Sequence, residues 1–86
     1  MRKVYLQTLK HFFCSRIPMV RAERSLTQAE LAAIFCMDPR SYVYLEQGDT
    51  CCGALTLALF LIYCCDDPLQ FLKDLQAAFE SAAKSA

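Results

Sequence analysis

The sequence predicts a single all-α domain, a compact bundle of about five helices, and three observations lead there. Its 86 residues contain only two Gly and three Pro, while Leu, Ala, Gln, Glu and Lys recur throughout, so helix formers dominate and turn formers are scarce. At 56% hydrophobic content the chain has enough apolar side chains for a packed core without disulfide staples. Apolar residues also return at three- and four-residue spacing along most of its length.

The elements follow in order. Val4, Tyr5, Leu6, Leu9, Phe12 and Phe13 share a helical spacing, which predicts an N-terminal helical extension over residues 1 to 15 that stops before Pro18. Pro18 then opens a short helix to Arg24, with Ile17, Val20 and Met19 as its inward candidates. Ser25-Leu26-Thr27 breaks the chain, and Thr27 followed three residues later by Glu30 is a capping box that starts the next helix. Leu31, Ala32 and Phe35 face inward there. Cys36-Met37 turns the chain, and Asp38-Pro39 restarts it with an N-cap acid and a proline at the first helical position. The helix over residues 39 to 47 buries Tyr42 and Leu45 and is closed by Gly48. A fourth helix, Gly53 to Cys65, carries two apolar stripes: Leu57, Phe60, Leu61 and Cys64, and then Leu55, Leu59 and Ile62. Both stripes call for cover. Asp67-Pro68 begins a C-terminal helix over 67 to 83 with Leu72, Leu75, Phe79 and Ala82 on its stripe, and Ser81 to Ala86 is expected to fray.

Composition excludes several function classes. The uncharged run from Cys51 to Cys65 is too short to span a bilayer, and no cleavage site follows the basic N-terminus, so a cytoplasmic protein with no membrane partner is expected. The six cysteines form no CxxC pair and have only His11 to join them, which favours reduced, buried thiols over a metal site; no cofactor and no small-molecule ligand is implied. No nucleophile has a recognisable base nearby and no phosphate loop is present, so catalytic residues are not expected. Net charge is zero but unevenly spread. Residues 1 to 24 carry six basic residues against Glu23 alone, and residues 25 to 86 carry three against eight acids. The basic end suits phosphate contacts, or serves simply as a solvated face or a partner for the acidic end of another copy.

The stretch Leu26-Thr-Gln-Ala-Glu-Leu-Ala to Leu45-Glu-Gln-Gly48, with Ala32 small enough for two helices to cross closely, resembles the phage-repressor-like (Cro/repressor, XRE) helix-turn-helix family over roughly residues 17 to 65. The resemblance implies a lambda-repressor-like DNA-binding domain with an added N-terminal helix, acting on double-stranded DNA as a transcriptional regulator and as a homodimer. It implies that Thr27 and Gln28, at the start of the first motif helix, lie against DNA phosphate. It further implies that Pro39, Arg40 and Tyr44 face the major groove from a recognition helix over residues 39 to 47, where Ser41 and the Tyr44 hydroxyl are in reach of a phosphate or a base. Arg21 and Glu46 match a pair that in relatives forms a structural salt bridge. Cys36 stands where the family's turn has Gly, so a left-handed backbone is expected at a residue with a side chain. Residues 17 to 65 hold three basic and five acidic residues, a poor balance for phosphate binding. The second reading is therefore a protein-interaction module that keeps the fold without the DNA, presenting Ile34, Val43 and Tyr44.

Overall fold

A computed structural model describes residues 1–85 and bears out the all-α bundle of about five helices. The helices are α1 (Arg2–Glu23), α2 (Gln28–Ile34), α3 (Pro39–Gln47), α4 (Ala54–Leu59), which runs on into a π-helical turn (Phe60–Cys64), and α5 (Pro68–Ser85).

The first correction concerns α1, which is one continuous helix rather than two pieces separated before Pro18. Proline has no N–H to give the Cys14 carbonyl and its ring crowds that oxygen, so a break is the local preference. Packing overrides it. Phe13 and Ile17, one turn apart and just ahead of the proline, are both fully buried. Beyond it, Arg21 and Arg24 anchor the last turn to Glu46 and Asp66. Met19, an inward candidate, is instead 58% exposed.

α1 and α5 run antiparallel, as their contacts record: Tyr5 stacks near Phe79, Phe12 meets Phe71 edge-on, and Arg24 pairs with Asp66. Between them and α2–α4 lies one core of Phe13, Ile17, Leu31, Ala32, Phe35, Tyr42, Leu45, Phe60, Cys64, Phe71 and Leu75, closed at its edge by Cys52. Its centre is aromatic: Phe60 sits 5.1 Å from Phe13 and 4.9 Å from Phe71, centroid to centroid, at tilted angles that aromatic quadrupoles favour. All six cysteines are free thiols, and burial pushes the Cys52 thiol up to about 12.

Four expectations for the C-terminal half change. The fourth helix widens at Phe60–Cys64, a π turn that buries Phe60 and Cys64 while turning Ile62 and Tyr63 outward. Its second stripe is covered only at Leu59, which packs against the core, while Leu55 and Ile62 are about two-thirds exposed, at 65% and 67%. In α5, Phe71 and Leu75 are the buried pair and Leu72 is exposed. The segment expected to fray is helical through Ser85, and Ala86 lies outside the described residues. Among the described residues no helix is long and apolar enough to cross a membrane.

Candidate nucleic-acid interface

The candidate residues sit on two short helices whose ends are fixed by their own side chains. At the start of α2, Thr27 Oγ1 accepts from the Glu30 amide at 3.1 Å and Glu30 Oε1 accepts from the Thr27 amide at 2.9 Å, closing the capping box. The Thr27 amide, with the Thr27 hydroxyl second, holds the Glu30 carboxyl below its usual range. Thr27 is thus occupied by the cap, while Gln28, the first helical residue, is exposed.

The turn between α2 and α3 places Cys36 at φ 57°, with the Met37 amide donating back to the Ala32 carbonyl. This is the left-handed conformation that the turn's geometry requires, adopted by a residue with a Cβ. Asp38 then caps α3: its Oδ1 accepts from the Ser41 amide at 3.0 Å and its Oδ2 from the Ser41 hydroxyl at 2.9 Å. Ser41 is accordingly half-buried and turned to the cap rather than to solvent. The same amide and hydroxyl, with Arg40 adding a smaller share, hold the Asp38 carboxyl below its usual range, so a full negative charge stands at the start of α3. Pro39 is the first helical residue, Arg40 is exposed, and Tyr44, one turn on, is 48% exposed. Gly48 ends the helix at φ 82°, where an added Cβ would lie 3.1 Å from Cys14 Sγ.

Behind α3, Arg21 Nη2 donates to Glu46 Oε1 at 2.9 Å, and Arg21 Nη1 reaches the Leu26 carbonyl at 3.3 Å. The pair ties α1 to the inner side of α3, with only 12% of the Glu46 side chain and 26% of Arg21 exposed. Burial pushes the Glu46 carboxyl up, but the Tyr42 hydroxyl and the Arg21 guanidinium outweigh it and hold it below the usual carboxylate range. Burial also pushes the Tyr42 phenol well above its ordinary value. Tyr42 Oη, Arg21 Nε and Glu46 Oε2 are buried and make no hydrogen bond among the described residues.

Pro39, Arg40 and Tyr44 thus come together on the outer side of α3, and Gln28 stands at the start of the neighbouring helix; Thr27 and Ser41 are committed to helix caps. Two features escaped the sequence reading. Tyr42 Oη lies buried beside the Arg21–Glu46 pair without completing a hydrogen bond to it, a position its spacing of four from Glu46 signals. Basic residues of the N-terminal segment are also consumed internally: Arg16 pairs with Asp74 at 3.5 Å and lies 4.5 Å over the Phe12 ring, and Arg24 pairs with Asp66 at 2.7 Å. No spacing rule links residues 42 to 58 positions apart. Among the described residues no cluster of three His, Cys, Asp or Glu is placed to hold a metal ion. No family model, curated protein or solved structure matches the chain.

Proposed function

We propose that the chain is a sequence-specific DNA-binding transcriptional regulator of the Cro/repressor helix-turn-helix type, with α3 as the recognition helix and a lambda-repressor-like core. One observation carries the reading: α3 is capped at both ends, clamped from behind by Arg21–Glu46, and presents Arg40 and Tyr44 outward. A helix held that way delivers its exposed side chains to a groove with little loss of freedom on binding. Arg40 reads guanine through its guanidinium fork, Gln28 contacts phosphate, and Tyr44 reaches a base edge or a phosphate oxygen through its hydroxyl.

One copy offers few positive charges near these helices, so two copies act together on two half-sites. The exposed α4 face, Leu55, Ile62 and Tyr63, joins them. It belongs to a stretch with no charged residue between Cys51 and Cys65, and the Arg24 guanidinium that reaches the Tyr63 carbonyl is paired with Asp66, so little repulsion opposes two copies meeting there.

Selection of binding duplexes from a random-sequence library at low salt, followed by fluorescence anisotropy on the winners, tests the proposal. Arg40→Ala is expected to weaken the selected site by about 10- to 100-fold and to relax preference at one base pair. No enrichment at low salt from a folded chain overturns it. Asp38 favours the second reading, an interaction module without DNA, because its carboxylate stands beside Arg40 where DNA phosphates would approach. Under that reading the half-buried Ile34 and Val43, with Tyr44, form the contact surface, and Arg40→Ala leaves the partner profile unchanged.

A further inference from the structure

The core of the bundle stops short of one end of the molecule. On α1 the first fully buried residue is Phe13, and on α5 the last buried residue is Leu75. Beyond them the two helices continue side by side for about three turns with Tyr5 and Phe79 stacked at 5.0 Å, and the Cys51 thiol, ahead of α4, reaches the Leu6 carbonyl at 3.9 Å. Two open apolar clefts flank that stack. One, about 420 Å³, is lined by Arg2, Tyr5, Leu6, Leu9 and Phe79. The other, about 540 Å³, has Leu72, Leu75 and Ala83 with the same aromatic pair, and Gln76, Glu80 and Lys84 at its rim.

Two clefts divided by an aromatic ridge suit two apolar side chains of one helix, spaced by a turn, better than one compact ligand. The charges around them choose the partner. Arg2, Lys3, Lys10 and Lys84 lie at this end and enter no ion pair among the described residues, against Glu80 as the one acid lining the clefts. A second copy would bring the same basic residues against these, a like-charge juxtaposition that disfavours self-pairing here. We infer that the open end of the α1/α5 pair is a docking groove for an acidic amphipathic helix of another protein, its apolar stripe seated on both sides of Tyr5–Phe79 and its carboxylates facing Arg2 and Lys84.

The test uses the whole chain and two synthetic helices of about 18 residues, both with Leu and Phe at positions i, i+3, i+4 and i+7, one flanked by Glu and its twin by Lys. Anisotropy measures affinity, and amide chemical shifts of the labelled protein locate the contact. The acidic helix is expected to bind and to shift amides of residues 2 to 9 and 72 to 84, while its basic twin does not bind. The double variant Arg2→Glu, Lys84→Glu, at exposed positions where folding is not at stake, is expected to weaken the acidic helix by at least about tenfold. Equal binding of both helices, shifts confined to α3 or α4, or an unchanged affinity in the double variant overturns the inference. So does sedimentation showing that copies associate through this end, with Leu6→Glu dispersing them. Arg40→Ala must leave helix binding untouched, which keeps the outcome separate from that of the DNA reading.

Discussion

Three helices in this chain end on a left-handed residue, and only one of those residues is glycine. Ser25 at φ 54°, Cys36 at φ 57° and Gly48 at φ 82° each let the next amide reach back five residues, to Arg21, Ala32 and Tyr44 respectively. A Cβ in that conformation costs on the order of 1 kcal/mol, so Cys36→Gly is expected to raise the melting temperature by a few degrees, unless the added freedom of the unfolded chain cancels it. A thermal melt that falls instead would show that the Cys36 side chain contributes more than its backbone costs. Gly48→Ala runs the other way, because the new methyl meets Cys14 Sγ at 3.1 Å in a conformation that already disfavours it, and a loss of about 1–2 kcal/mol is expected in urea titration. Glu46 gives a pH signature. Its folded pKa is depressed, so its pairing stabilises the native state above the unfolded value near 4.5 and is lost as pH falls through the folded one. Glu46→Gln should therefore melt lower than the parent at pH 7, and the gap should narrow below about pH 4.5. A gap independent of pH would mean that shape rather than charge holds the clamp.

At the scale of elements, what the sequence made legible was whatever a few neighbouring residues decide. The box of Thr27 and Glu30, the Asp38-Pro39 start and the Gly48 stop are local hydrogen-bond chemistry, and all three appear as read. Thr27→Ala, which removes the acceptor for the Glu30 amide, is expected to cost about 1 kcal/mol in chemical denaturation, with the slope unchanged. What stayed illegible depends on distant residues. Pro18 reads as a boundary until Phe13 and Ile17 are seen fully buried, with Phe13 packed on Phe35 and Phe60, and the exposure of Leu55 depends on what packs nearby rather than on its own stripe. The candidate site divides the same way: the positions of Gln28, Pro39, Arg40 and Tyr44 follow from helix phase. The withdrawal of Thr27 and Ser41 into caps and of Arg16 and Arg24 into cross-chain pairs does not. Because α1 survives its proline only through packing, Pro18→Ala should restore a donor to the Cys14 carbonyl and raise stability. A decrease in melting temperature would show that the fixed φ of proline outweighs the missing bond.

Across the whole molecule, charge and apolar surface are segregated, and the DNA proposal rests on that arrangement. Along α2, α3 and the residues that flank them, Arg40 is set against the exposed acids Glu30, Asp38 and Asp49, of which Asp38 stands beside it, so electrostatic attraction to a duplex is slight for one copy. Each neutralised phosphate contributes a slope of about −0.9 in the plot of log affinity against log salt. If Arg40 alone supplies the positive contacts, a dimer should therefore show a slope no steeper than about −2. A steeper slope would require Arg2, Lys3 and Lys10 to reach the backbone, placing the N-terminal half of α1 on DNA instead of on a protein partner. The same titration decides how copies meet. Ile62→Glu places a carboxylate on the uncharged α4 face at a position already 67% exposed, so folding has no reason to suffer. Two such charges across a two-fold axis repel each other. The expected result is a folded monomer in sedimentation, with DNA affinity reduced to that of a single half-site and the salt slope roughly halved. If Ile62→Glu leaves both stoichiometry and slope unchanged, the copies are joined by another face, and the exposed stripe of α4 has some other occupant.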